Sequence, residues 1–229
     1  IDTNNIKKIK SLKKKIIKVF QTASALNKCG NIVSEQDILS LYKKNKKVWV
    51  AAYDQARMLP DIYNVIDQKL INKICNIANI KFPTFTSRPI IRVCMPGDEG
   101  TSRTKPHIDY PTHRGSINSS TIWIPLQDTN KINGTLKLIP FSHKKKNYSG
   151  SVKKRNVVRK NNISDKNLND IPLNIGQAII LTQFTAHGSG SNLSNKIRFS
   201  LDFRLNDLSN KDYAKSKYYI NEQVSFKQF

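Results

Sequence analysis

The chain has 229 residues, 38% of them apolar. That is enough for one domain with a sizeable core, and no run of about 18 apolar residues is present that would form a membrane span. A net charge of +23 points to anionic partners, yet Lys far outnumbers Arg and aromatics are not interleaved with the basic runs. This pattern disfavours nucleic acid and leaves a solvated surface or an anionic small substrate.

In chain order, Ile1 to Asn5 carry no apolar targeting region. Ile6, Ile9, Leu12, Ile16, Ile17 and Phe20 fall at helical spacing, with most lysines on the other side, so residues 6–20 are predicted to form a surface helix packed on the core. Cys29, Cys75 and Cys94 are few, widely spaced and without a C-x-x-C pair. They suit free thiols in a reducing, cytoplasmic compartment. Ser34 with Asp37 three positions on reads as a helix N-cap, and a helix is expected over 35–57. Its candidate buried positions include Ile38, Leu41, Trp49 and Ala52. Pro60 opens a further predicted helix over 61–78, with Ile62, Val65, Ile66, Leu70, Ile71 and Ile74 on one face.

Past Pro83 the period changes. A strand is predicted at 90–95, ended by Pro96-Gly97-Asp98. Extended segments follow at 107–110, 120–126 and, after the Asn133-Gly134 turn, 135–139. The Lys-rich stretch 143–170 reads as an exposed excursion. Strands resume at 177–182, at His187 and at 197–205, before a polar tail. Helices followed by many short strands, without repeats, indicate an α+β domain containing a sandwich or barrel.

The chemistry starts at His107-Ile108-Asp109. Two residues apart in an extended segment, the imidazole and the carboxylate point to the same face and can reach one metal ion. His187 supplies a third ligand, and two histidines with one carboxylate form the facial triad of non-haem Fe(II) oxygenases. Further on, Arg198-Phe199-Ser200-Leu201-Asp202-Phe203 alternates strictly. Phe199, Leu201 and Phe203 face one way, Arg198 and Ser200 the other. An arginine turned into an interior needs an anionic partner. That partner is either a ligand carboxylate, gripped by the guanidinium fork with Ser200 beside it, or an acid of the chain such as Asp202.

His107-x-Asp109, His187 and Arg198-x-Ser200 together resemble the Fe(II)/2-oxoglutarate-dependent dioxygenases. Four further stretches resemble the phytanoyl-CoA dioxygenase-like group: Trp123-Ile-Pro-Leu126, Asn133-Gly134-Thr135-Leu136, Ile139-Pro140-Phe141-Ser142-His143 and Gly176-Gln177-Ala178. The resemblance covers about 88–206. It implies a single domain: a helical cover at about 1–82, a double-stranded β-helix core (jelly roll, cupin-like) at about 83–206, and a polar tail at 207–229. It also implies Fe(II) on His107, Asp109 and His187, with 2-oxoglutarate as co-substrate and its far carboxylate on Arg198 and Ser200. Thr121, Trp123 and Thr135 would line the co-substrate pocket. The implied reaction is hydroxylation of an unactivated C–H bond, coupled to oxidative decarboxylation to succinate and carbon dioxide. Related halogenases carry a small residue where Asp109 stands, so halogenation is disfavoured. Gln177 departs from the Asp usual in this group, at a turn. His143 reads as structural and His113 as a loop histidine.

Arg103, Lys105 and Arg114 flank the metal-binding segment and are candidate contacts for an anionic metabolite, such as a sugar, an amino acid or a carrier-linked acid. Two other readings stand beside this one. Arg198 and Arg204, six apart, resemble the paired arginines of nucleic-acid demethylases of the same fold, although that family's pair lies further beyond its second histidine. A non-catalytic β-helix module binding a metal or an anion is the third.

Overall fold

The computed structural model describes residues 1–98, 104–110, 115–144, 163–211 and 213. Five helices come first: α1 (Ile6–Leu26), α2 (Glu35–Lys44), α3 (Lys46–Ala56), α4 (Asp61–Val65) and α5 (Gln68–Ala78). Helix α1 buries Ile9, Leu12, Ile16 and Phe20 completely, each contributing about 1.5–3 kcal/mol relative to exposure. Lys7, Lys10, Lys14 and Lys18 lie exposed on its solvent side, so much of the positive charge is a hydrated helix face.

Two predicted helices are broken, and side-chain caps explain both breaks. At Asn45 the backbone leaves helical geometry and the side chain accepts from Val48 N, starting α3. At Asp67 the side chain accepts from Leu70 N, starting α5. Each cap satisfies a donor that a helix N-terminus leaves orphaned. The predicted capping box is present, with Ser34 and Asp37 bonding reciprocally. Helix α5 ends on Asn79 in the left-handed region, where Asn is well tolerated.

Among the described residues eight strands follow: β1 (Pro83–Phe85), β2 (Ile90–Cys94), β3 (Ser120–Pro125), β4 (Leu136–Leu138), β5 (Asn169–Ile171), β6 (Ile179–Thr182), β7 (His187–Ser189) and β8 (Arg198–Asp207). All pair antiparallel. The larger sheet runs β1-β8-β3-β6 with β2 also on β8, and the smaller runs β5-β4-β7. Strand β8 is the spine. It pairs β2 through Cys94↔Arg198 and Ile90↔Asp202, and β3 through Thr121↔Arg204 and Pro125↔Ser200.

The predicted excursion over 143–170 is corrected at its end. Residues 145–162 lie outside the described residues, but β5 pairs with β4 through Leu136↔Ile171. Leu168, just before it, is buried with Ile108, Ile139 and Ala186. Asn169-Asp170-Ile171 has no strand pattern of its own, and tertiary pairing forms it.

Alternation along the larger sheet divides its two faces. Ile91, Val93, Ile122, Ile124, Phe199, Leu201, Phe203 and Leu205 join the helices in one apolar cluster. On the opposite face Trp123, Leu181 and Ile179 meet Leu136 and Leu138 of the smaller sheet. The result is three layers: helices, larger sheet, smaller sheet. No described helix is long and apolar enough to cross a membrane, and the three cysteines are free thiols.

Candidate metal centre and anion pocket

His107 and His187 sit opposite each other as a small antiparallel pair. His107 N donates to His187 O at 2.8 Å, and His187 N to His107 O at 2.9 Å. Gly188 permits the approach, because a Cβ there would stand 3.1 Å from Thr104 O and 3.2 Å from Pro106 N. The two rings lie 4.4 Å apart, centroid to centroid. Each ring is oriented by its own backbone, with Nδ1 of His107 2.7 Å from Lys105 O and Nδ1 of His187 2.8 Å from Thr185 O. A carbonyl can only accept, so Nδ1 carries the proton and Nε2 keeps its lone pair.

Both Nε2 atoms face Asp109, at 3.4 Å from Oδ1 for His107 and 3.9 Å from Oδ2 for His187. Ligand atoms of all three residues lie within 4.8 Å of one another. Two imidazoles locked by carbonyls and one carboxylate form the N,N,O donor set that suits Fe(II). Burial alone would raise the Asp109 carboxyl, but the His107 ring, Arg204 and His187 together hold it well below the usual carboxylate range. Burial lowers His187 below its ordinary value, keeping it in the neutral form that ligates.

Asp109 is fixed from β3 and β8. Thr121 Oγ1 donates to its Oδ2. Arg204 forks onto it, Nε to Oδ2 at 3.2 Å and Nη2 to Oδ1 at 3.2 Å. Arg204 Nη1 also reaches Asp202 Oδ2 at 3.4 Å. Asp202 in turn receives Arg92, Nε to Oδ1 at 2.9 Å and Nη2 to Oδ2 at 3.3 Å. The neighbouring Asp202 raises Arg92 above its already high ordinary value.

Arg198 occupies the same cavity in a different state. It is 1% exposed, with Nε on Gly134 O at 3.1 Å and Nη1 on Ser200 Oγ at 2.7 Å, and its guanidinium lies 5.7 Å from the Trp123 ring centroid. No carboxylate of the described residues forms an ion pair with it: Asp202 is taken by Arg92 and Arg204. Burial accordingly pulls Arg198 below its ordinary value. A buried guanidinium without an acid is a standing demand for an anion. The cavity is walled by Trp123, Leu136, Leu181, both histidines and the three arginines Arg92, Arg198 and Arg204.

The expected site residues therefore divide. His107, Asp109, His187, Thr121, Trp123, Arg198 and Ser200 come together. The hydroxyl of Thr121 is spent on Asp109, so it orients that ligand. Thr135 does not join the cavity wall. It is fully buried, and its hydroxyl donates to Ile171 O within the smaller sheet. Lys105 contributes its carbonyl to His107, while its side chain is exposed and away from the wall. Arg103, Arg114 and His113 lie outside the described residues. His143 is in the 3₁₀ turn Ser142–Lys144, and Gln177 Oε1 accepts from Asn174 N to close its turn. Arg92 was missed. Its signal was the alternation of β2, where Ile91 and Val93 claim the helical side and leave Arg92 facing inward.

A family model, phytanoyl-CoA dioxygenase (PhyH), matches residues 24–200. No curated protein matches the chain. Among solved structures, AviO1 from Streptomyces viridochromogenes Tue57 is 14% identical over 66% of this chain and 62% of its own, with a TM-score of 0.48. The non-heme alpha ketoglutarate dependent epimerase SnoN from nogalamycin biosynthesis is 16% identical over 69% of this chain and 58% of its own, at 0.47. EctD from S. alaskensis, with 2-oxoglutarate and 5-hydroxyectoine, is 17% identical over 63% and 51%, at 0.47. The chain spans less than two thirds of the length of each of these three.

Proposed function

The chain belongs to the phytanoyl-CoA dioxygenase family, and from that premise we propose that it is an Fe(II)- and 2-oxoglutarate-dependent oxygenase that hydroxylates a small anionic metabolite. One observation carries the reading: Arg198 is buried in the same cavity as the triad, with no acidic partner among the described residues. The missing anion is then the far carboxylate of 2-oxoglutarate, gripped by the Arg198 fork, with the Ser200 hydroxyl beside it. Trp123, Leu136 and Leu181 supply an apolar wall along the co-substrate's carbon chain and keep water from it.

His107, Asp109 and His187 would hold the iron. With dioxygen as the oxidant and 2-oxoglutarate as the electron donor, the iron would supply C–H hydroxylation, one oxygen atom going to the product and the other to succinate as carbon dioxide leaves. The protein's share is orientation. The Lys105 and Thr185 carbonyls fix both imidazole tautomers, while Thr121 and Arg204 fix the carboxylate. Two facing antiparallel sheets around the site fit a double-stranded β-helix of the jelly-roll, cupin-like kind. We read the whole as one oxygenase domain. Its free thiols suit a cytoplasmic setting.

Charge supports the anionic substrate. Among the described residues, three arginines, Arg92, Arg198 and Arg204, face two carboxylates, Asp109 and Asp202, at the site. A divalent iron and a dianionic co-substrate cancel, so the wall keeps a positive excess for a sugar acid, an amino acid or a carrier-linked acid. The test is a metabolite panel scored by Fe(II)-dependent succinate formation, with His187→Ala as control. Turnover with at least one anionic metabolite is expected. If neither coupled nor uncoupled 2-oxoglutarate consumption depends on Fe(II), the oxygenase reading is wrong.

A further inference from the structure

Resting on the oxygenase reading, we infer that Arg204 is a built-in counter-ion that holds Asp109 while the metal is absent and competes with the metal for it, and that Asp202 moderates this competition. Both oxygens of Asp109 lie 3.2 Å from Arg204 nitrogens, and Thr121 also donates to Oδ2. This carboxylate is 1% exposed, so water cannot take the place of a cation there. A metal that binds Asp109 must share it with a guanidinium already seated on it. The two cations repel each other in an interior that screens poorly.

The competitor is also leashed. Arg204 Nη1 is anchored on Asp202 at 3.4 Å, and Asp202 is itself held by Arg92 at 2.9 and 3.3 Å. Arg204 therefore keeps an acidic partner when Asp109 turns to a metal, and it need not leave the cavity wall. The order Arg92–Asp202–Arg204–Asp109 alternates in charge from strand β2 to the metal site. Its members sit where the register of β2, β3 and β8 brings inward-facing residues side by side, as with Thr121↔Arg204 and Ile90↔Asp202. Two consequences follow. The metal-free site stays preformed, because its ligand carboxylate is never unpaired. Metal affinity is tempered, because loading displaces a fixed charge.

The experiment is calorimetric titration of the full chain with Mn(II), which needs no turnover, on the wild type, Arg204→Met, Arg204→Lys and Asp202→Asn, with circular dichroism as the check on folding. Removing the competitor in Arg204→Met is expected to tighten Mn(II) about tenfold, within the usual range of about 5–150-fold for two coupled ligands. Asp202→Asn, which frees Arg204 to lean fully on Asp109, is expected to weaken it by a similar factor. Arg204→Lys keeps the charge without the fork and should fall between the wild type and Arg204→Met. A merely structural ion pair would loosen the metal in every variant, so opposite signs mark competition. Equal or weaker Mn(II) binding in folded Arg204→Met overturns the inference. Should that variant not fold, an Asp202→Asn affinity at or above wild type, or Arg204→Lys binding below wild type, overturns it instead. A wild type that takes no Mn(II) sinks the oxygenase reading and this inference together, whereas normal wild-type titration with unmoved variants sinks the inference alone.

Discussion

Replacing Arg198 by Met separates a ligand-binding arginine from a structural one. In the protein without co-substrate the guanidinium is buried, bonds Gly134 O and Ser200 Oγ with the Cys94 side chain beside it, and has no acidic partner among the described residues. Methionine fills similar length without charge. Removing a buried charge is neutral or favourable, by up to about 4 kcal/mol in comparable replacements. The Gly134 carbonyl loses its donor at a cost of about 1–3 kcal/mol. These oppose each other, so the thermal midpoint should move by only a few degrees. Bound 2-oxoglutarate behaves differently. Its far carboxylate would lie in the same pocket without its guanidinium partner, a loss of about 3–5 kcal/mol. At about 1.4 kcal/mol per decade, that is roughly two to three and a half decades in Kd. Calorimetric titration of 2-oxoglutarate in the presence of Mn(II) reads this without turnover, and a thermal melt runs beside it. A Kd within about threefold of wild type, under 0.7 kcal/mol, would show that Arg198 does not hold the co-substrate. An Arg198→Met protein that no longer folds would show that its charge is structural.

Two further predictions concern the scaffold. Burial would raise the Asp207 carboxyl, but it accepts from Asn118 Nδ2 at 2.9 Å, Ser209 Oγ at 2.7 Å and Phe82 N at 3.0 Å, and these bonds outweigh burial and hold it well below the usual range. A depressed carboxyl adds stability above its unfolded value of about 3.9 and loses it as pH falls through the folded value. Asp207→Ala should therefore cost about 1–3 kcal/mol near neutral pH and progressively less below about pH 4, read by urea unfolding across pH; a pH-independent difference refutes the charge argument. Asp67 caps α5 through Leu70 N at 2.9 Å, so Asp67→Ala should lose about 0.5–2 kcal/mol and Asp67→Asn much less. Equal losses would assign the effect to the Lys8 ion pair at 2.6 Å.

The triad and the Arg198–Ser200 pair were legible because a strand has a period of two. Once Phe199, Leu201 and Phe203 are assigned to the core, Arg198, Ser200, Asp202 and Arg204 must face the other way. Which acid meets which base was not legible. Arg198 and Asp202 are four residues apart on one face, yet Asp202 pairs with Arg92, more than a hundred residues distant. That choice depends on the register of β2 against β8, which no local pattern encodes. The helix breaks were hidden for a different reason. Apolar periodicity runs through Asn45 and Asp67, and only their capping side chains mark the interruption. Thr135 was misplaced because a turn residue's hydroxyl can bond its own sheet as readily as a ligand.

Strand β8 explains why a helical layer with no ligand residues still governs the site. Its odd positions, Phe199 to Leu205, are locked into the cluster with Ile9, Leu12, Ile16 and Phe20 of α1 and Trp49 of α3. Its even positions, Arg198 to Arg204, form much of the charged wall. A slip of one residue would exchange the two sets, placing phenylalanines in the cavity and arginines among the helices. The apolar packing therefore does more than stabilise the fold. By setting the phase of one strand, it holds two arginines, an aspartate and a serine inside a dry space where each must find an anion or a donor. Arg204 and Asp202 are ion-paired within the chain, whereas Arg198 has only neutral partners among the described residues, leaving it as the charge for a ligand to meet.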